Sequence, residues 1–214
     1  MHCHPAPTAA ETGPTVAANR FETAPSTVEL IQKVNLTDKP VERGVIQLRL
    51  ATTANLHLLQ HWHQQPHVVA AVGDEWGWET ELARNPDWRE QLIAELDGLP
   101  IGFVQIIDPA REDSQYWGCI APGHRAIDIW IGDEADLGLG FGTRIMKQAI
   151  ARGFADPTVT TVLVDPHEGN ERARRFYERL GFEYVVRRCC GDDRCFVYRL
   201  TRPNARREAP EQRA

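Results

Sequence analysis

Seven residues, Leu137-Gly138-Leu139-Gly140-Phe141-Gly142-Thr143, constrain this chain most, because they stand between a strand-like and a helix-like segment. Glycines at alternate positions let backbone N–H groups turn inward and leave room for phosphate oxygens. The helix that follows adds its own unpaired N–H groups and the positive end of its dipole. Such a loop can cradle a pyrophosphate, or it can be no more than a tight strand-to-helix turn. A dinucleotide-binding fingerprint is disfavoured, since the loop comes late and the expected first strand-helix-strand unit is missing. The loop also lacks the Gly-Lys-Ser/Thr of a nucleotide P-loop.

Hydrophobic periodicity places elements on both sides of the loop. Val45 to Leu50 alternates as a strand, and Thr53 is expected to cap a helix carrying Leu56, Leu59 and Trp62 on one face. The region of Trp76, Trp78 and Trp88 gives no clear pattern beyond loop and short helix. Gln91–Leu96 and Ile101–Ile107 read as a hairpin around Asp97-Gly98-Leu99-Pro100, which Pro109 stops. Ala126–Ile131 is a short buried strand, and a helix runs from about Gly142 to Phe154. A strand over Thr160–Val164 and a helix over Asn170–Leu180, closed by Gly181, come next. Phe182–Arg188 and Arg194–Thr201 form a last hairpin. The pattern predicts one α+β domain with a mixed central sheet flanked by helices, over residues 45–202. Residues 1–44 read as a flexible extension with a short strand at Thr27–Val34, and 203–214 as a disordered tail.

The net charge of −6 argues against nucleic acid, which needs a basic face, and suits a cationic ligand. No apolar run is long enough for a bilayer, and Met1-His2-Cys3-His4-Pro5 does not open a secretory signal, so a cytoplasmic protein is expected. The five cysteines are odd in number and are expected to be reduced thiols. Cys189, Cys190 and Cys195 flank a turn at Gly191-Asp192-Asp193, with Cys190 and Cys195 close across the strands as packing rather than as ligands. His2-Cys3-His4 binds a metal only incidentally, and no metal is expected. The sequence leaves monomer or homodimer open.

A second motif sharpens the first. The run Asp165-Pro166-His167-Glu168-Gly169-Asn170-Glu171-Arg172-Ala173 leads into Tyr177-Glu178-Arg179-Leu180-Gly181-Phe182. Together the two signals, over roughly residues 126–182, resemble the GNAT superfamily of N-acetyltransferases. The resemblance implies acetyl-CoA as co-substrate, held at its pyrophosphate by backbone N–H groups of Gly138, Leu139, Gly140, Phe141, Gly142 and Thr143. It also implies contacts of Asn170 and Ala173 with the pantetheine arm, and places Tyr177 beside the thiol. One departure is Leu137, where the family usually has Arg or Gln. From about Ile46 to Arg199 the chain is most similar to the aminoglycoside 6′-N-acetyltransferases. That similarity rests on Pro100-Ile101-Gly102-Phe103, Arg125-Ala126-Ile127-Asp128, the glycine loop and Asp165-Pro166. It implies Asp128 as base or anchor for the amine, Asp165, Asp113 and Tyr116 on the substrate, and Tyr177 as the acid that protonates the departing thiolate.

The chemistry is consistent with those residues. A primary amine is mostly protonated near neutral pH, so a carboxylate must hold it and accept a proton. A backbone N–H near Trp130 or Ile131 can stabilise the oxyanion. Between residues 108 and 136 stand seven acids (Asp108, Glu112, Asp113, Asp128, Asp133, Glu134, Asp136) against Arg111 and Arg125. Bland readings stand beside these: Asp128 paired with Arg125, Asp165 as a turn residue, Tyr177 as helix packing, and Asp113 as a solvated loop acid. Glu75 and Trp76 could wall the acceptor pocket, while His124 reads as surface. Rival functions are the siderophore-biosynthesis acyltransferases, protein N-acetylation, and a non-catalytic CoA-binding sensor. The siderophore group carries Trp-His where this chain has Ile127-Asp128, and Asp where it has Gly169; intact Asp128, Asp165 and Tyr177 argue against a sensor. Ala70-Ala71-Val72 replaces large aromatics expected on an aminoglycoside site, which implies a wider or differently shaped pocket.

Overall fold

The computed structural model describes residues 44–73, 76–190 and 193–203. The expected tails, the strand over Thr27–Val34, Glu75 and the Gly191-Asp192 turn lie outside those residues. Strands β1 (Ile46–Leu50), β2 (Arg89–Leu96), β3 (Leu99–Ile107), β4 (His124–Ile131), β5 (Thr161–Val164), β6 (Glu183–Cys190) and β7 (Asp193–Thr201) form one sheet. Its order is β1-β2-β3-β4-β5-β7-β6, antiparallel except for the parallel β4–β5 pair. Helices α1 (Leu56–His63), α2 (Pro66–Val72), α3 (Trp78–Ala83), α4 (Phe141–Gly153) and α5 (Glu171–Arg179) complete the described fold. It is the expected α+β arrangement of a mixed sheet flanked by helices.

Local differences from expectation have simple causes. Thr52, not Thr53, begins the first helical segment: its N–H donates to Asn55 Oδ1 at 3.0 Å, and a 3₁₀ turn over Thr53–Asn55 precedes α1. The region of Trp76, Trp78 and Trp88 contains α3, and α2, opened by Pro66, precedes it; each is too short for a helical period to show in sequence. The β2–β3 turn needs two residues rather than four. Asp97 and Gly98 both take positive φ, 51° and 84°, which matches the twist of the flanking strands, so Leu99 and Pro100 already pair. At the last hairpin Cys195 is paired with Arg188 and Cys190 with Asp193 in register, so Cys190 and Cys195 are not a facing pair.

The two sheet faces bury different things. On one, Leu92, Val104, Ile127 and Ile131 pack against Ile145 and Met146 of α4 and Tyr177 of α5. On the other, Ile93, Phe103 and Trp130 pack against Leu59, Trp62, Val68 and Trp78 from α1–α3. Facing residues of β2, β3 and β4 make three successive rungs on this second face. Ile93–Phe103–Trp130 is apolar, Gln91–Gln105–Asp128 is polar, and Arg89–Ile107–Ala126 leads into a smaller cluster with Trp117 and Leu163. The polar rung therefore lies between two apolar clusters. That gap is where the acceptor side of the site opens.

Candidate active site

β4 and β5 pair only from His124–Thr161 to Ala126–Leu163, and then diverge. Beyond Ala126, β4 keeps one edge on β3 and turns the other to the cleft. Gly132 N–H donates to Ile101 O, and an antiparallel ladder alternates its bonding direction residue by residue. It follows that Trp130 N–H is spent on β3, whereas Ile129 and Ile131 N–H face the cleft. Of the two expected oxyanion donors, Ile131 N–H faces the cleft and Trp130 N–H does not, although the Trp130 side chain lines both cavities; Ile129 N–H faces the cleft as well. Ile131 O is held by His67 Nε2 of α2 at 2.9 Å.

Two cavities open at this divergence, one of about 890 Å³ and one of about 420 Å³. They share Ile129, Trp130, Asn170, Ala173 and Tyr177, so a group entering one can reach a group held in the other.

The larger cavity is built mostly from backbone. Gly138 and Gly140 take φ of 78° and 85°, a left-handed conformation that a side chain strains. Gly140 is the N-cap of α4, so the free N–H groups of the first helical turn point out from this loop. Gly138, Gly140, Gly142 and Thr143 line the cavity. The loop's side chains do not join them: Leu139 is half-exposed and Phe141 is buried in the core, so each can offer only its N–H. On the opposite wall Asn170 caps α5, its Oδ1 accepting from Ala173 N–H at 3.0 Å. Arg172, Arg179 and Arg194 also line this cavity and supply positive charge. A left-handed glycine cradle, a helix N-terminus, a strand edge with free N–H groups and nearby guanidinium groups fit a pyrophosphate that carries an amide-containing arm.

The smaller cavity is built from side chains. Asp128 and Asp165 both line it, with Gln105, Glu112, Tyr116 and Trp76. Burial pushes the Asp128 carboxyl up to about 6, against the pull of a hydrogen bond from Gln105 Nε2 at 3.1 Å. Asp165 is pushed up to about 7, first by burial and then by the charge of Asp128, while Tyr116 and Arg188 pull it down. Tyr116 Oη donates to Asp165 Oδ2 at 2.7 Å. Tyr177 is 7% exposed, and burial, then Asp128 and Asp165, raise its phenol well above the ordinary range. It therefore stays protonated at neutral pH. Arg188 stacks over the Tyr116 and Trp117 rings, 5.2 and 5.3 Å from their centroids, and donates to Tyr116 O. It thus pins the 108–123 loop over the cavity.

The site brings together Asp128, Asp165, Tyr116, Tyr177, Asn170, Ala173 and Ile131 as expected, and Trp76 walls the acceptor side. Ala71 and Val72 lie on that wall too. Asp128 does not pair with Arg125, which binds Asp108 at 3.2 Å and Asp156 at 3.3 Å instead. Asp113 is displaced from its expected place. Its carboxylate is 68% exposed and pairs with Arg84 at 3.3 Å, while Glu112, one residue earlier, reaches the cavity. Glu112 is largely occupied, since it accepts from Ser114 N–H at 2.9 Å and Tyr116 N–H at 2.8 Å. The dense acidic stretch therefore delivers few charges to the cleft. Asp108 and Asp133 are also paired elsewhere, and Asp136 lines the larger cavity. Sequence reasoning missed Gln105, His67 and Arg188. A lone Gln in an apolar strand, Val104-Gln105-Ile106, was the available signal for the first; His67 and Arg188 had none.

Comparison with known proteins bears on this geometry. The acetyltransferase (GNAT) domain family matches residues 51–188. Aminoglycoside N(6′)-acetyltransferase type 1 of Klebsiella pneumoniae is 33% identical over 152 residues, 64% of this chain and 74% of that protein. Lysine N-acyltransferase MbtK of Mycobacterium tuberculosis is 25% identical over 169 residues, 73% of this chain and 77% of the relative. The crystal structure of aminoglycoside acetyltransferase AAC(6′)-Ib in complex with coenzyme A and kanamycin superposes with a TM-score of 0.68 at 29% identity. The match covers 77% of this chain and 99% of that one.

Proposed function

This chain belongs to the GNAT family of N-acetyltransferases, with acetyl-CoA as donor, and from that premise we propose that its acceptor is the 6′-amine of an aminoglycoside. On this reading the protein confers resistance to such a drug. One observation carries the reading: two desolvated carboxylates, Asp128 and Asp165, stand in the smaller cavity where it meets the donor cavity. A polyamine offers several ammonium groups to such a site, and a carboxylate shielded from water attracts them strongly.

Asp128 holds the reacting ammonium and accepts its proton. The freed nitrogen attacks the thioester carbonyl carbon, and Ile129 or Ile131 N–H stabilises the charge that develops on oxygen. As the carbon–sulfur bond breaks, Tyr177 Oη–H gives its proton to the thiolate, and the second proton leaving the acylated nitrogen passes through water to restore the phenol. Asp165, with Tyr116, holds a second amine. The glycine cradle and Asn170 support the donor, and Asp113 has no part in this reading.

A second reading follows from the 25% identity to a lysine N-acyltransferase and from the small wall residues Ala71 and Val72. Here the acceptor is a lysine-type side chain, and the enzyme serves siderophore assembly. Thiol release from acetyl-CoA separates the two, measured with kanamycin, tobramycin, gentamicin and amikacin beside N6-hydroxylysine and a peptide amine. Turnover on the aminoglycosides, with a raised inhibitory concentration in an expressing strain, supports the first reading. Turnover on hydroxylysine or peptide alone replaces it.

A further inference from the structure

We propose that Gln105 is a positioning residue that fixes the Asp128 carboxylate for the incoming amine, as the middle member of a row laid across β2, β3 and β4. The row follows from register. Gln91 faces Gln105, and Gln105 faces Asp128, so all three side chains share one face of the sheet. Gln91 Nε2 donates to Gln105 Oε1 at 3.3 Å, and Gln105 Nε2 donates to Asp128 Oδ2 at 3.1 Å.

The order of donors has one solution. An ionised carboxylate only accepts, so Gln105 must turn its NH₂ to Asp128. Its oxygen then faces away and needs a donor, which Gln91 supplies. Gln105 is 4% exposed, and its neighbours along β3 on the same face, Phe103 and Ile107, are buried apolar side chains. A buried amide there is harder to accommodate than leucine unless both its ends are satisfied. With Oδ2 tied, Asp128 keeps Oδ1 for the ammonium, and its side chain is held to one rotamer. Other groups line the same cavity: Arg89 of β2, Glu112 and Tyr116 after β3, Asp165 and His167 after β5, and Tyr177 of α5. Arg89 is committed to Glu81. Burial opposes the charge on Asp128, so the Gln105 hydrogen bond is what favours the ionised form.

The inference rests on the reading of Asp128 as the amine site, and its test is built to separate the two. Gln105→Leu and Gln91→Leu are compared with the wild type by the pH profile of kcat/KM with kanamycin and acetyl-CoA. Carboxyl ¹³C NMR titrates the free enzyme in parallel, with Asp128→Asn assigning the resonance. Gln105→Leu is expected to move the acid limb and the Asp128 titration upward by about one pH unit, close to a tenfold loss at low pH. Most of the rate returns at high pH, and KM for acetyl-CoA stays unchanged. Gln91→Leu moves both readouts in the same direction by less. An Asp128 titration identical to wild type in Gln105→Leu overturns the proposal, as does an equal loss at every pH. If the wild type leaves kanamycin untouched, the acceptor reading fails while the NMR titration still decides the role of Gln105.

Discussion

The two halves of the cleft are made of different material. The donor half is mostly backbone: left-handed Gly138 and Gly140, the first turn of α4, the free edge of β4 and the Asn170 cap. The acceptor half is mostly side chains drawn from β2, β3, β4, the 108–123 loop and the end of β5. Backbone recognition suits a part of the ligand that never changes, because an N–H cannot be swapped by mutation. Side-chain recognition can be altered one residue at a time, and it is where relatives with different acceptors can diverge.

If that division holds, substitutions sort by which KM they move. The largest effect is expected from Asp128→Asn. It should lower kcat/KM for the amine by about 10² to 10⁴, the usual range for a positioned acid or base, and leave KM for acetyl-CoA alone. Weaker binding of acetyl-CoA in that variant would break the division. The wild-type rate should rise with pH as the two carboxyls ionise, Asp128 at about 6 and Asp165 at about 7, because the protonated forms do not attract an ammonium.

Stability should run the other way. Both carboxyls keep protons in the fold at pH values where the unfolded chain has lost them, so their contribution falls as pH climbs from about 4 to 7. Urea midpoints should therefore show Asp128→Asn gaining on the wild type at pH 8, with that gain fading towards pH 4.

Gly140→Val is the counterpart on the donor side. A β-branched residue at φ 85° costs about 1–2 kcal/mol for the left-handed conformation and distorts the cradle. KM for acetyl-CoA should rise about tenfold, in line with that cost, while acceptor preference across an amine panel stays the same. A changed preference would mean that the halves are coupled through the loop. Tyr116→Phe should have a smaller effect, raising KM for the amine by less than tenfold, because it removes one hydrogen bond to Asp165 and leaves the carboxyl itself in place. Asp113→Ala should change turnover by less than about twofold, since an exposed ion pair contributes little. A larger loss would return that acid to the site.

The same division explains what could be read from the sequence. Backbone sites leave local signatures, since the glycines, the Asn cap and the Tyr-Glu-Arg-Leu-Gly-Phe run must stand in fixed order along one stretch of chain. The glycine loop, the Asn170 cap and the order of elements along the chain were therefore legible. The acceptor half is assembled from segments up to a hundred residues apart, and its neighbours are set by register. A one-residue difference puts Glu112 rather than Asp113 on the cavity, and the alternation of strand edges turns Ile129 N–H rather than Trp130 N–H to the cleft. Acid density between 108 and 136 was also a poor guide. Three of those seven acids, Asp113, Asp108 and Asp133, meet Arg84, Arg125 or His61 in the fold, an outcome that no local pattern encodes.

The divergence of β4 from β5 also has a mechanical consequence. Three facing residue pairs join a four-stranded plate, β1 to β4, to a three-stranded one, β5, β7 and β6, fewer than join any other two neighbouring strands of the sheet. Asp128 stands on the first plate, while Asp165 and Tyr177 stand with the second. If a donor arm lies along Ile129 and Ile131, it adds rungs to that seam, and the gap across which one proton is accepted and another given is set by the donor. Ordered kinetics, with the donor bound before the amine, are then expected; initial-rate patterns of random order would break that link.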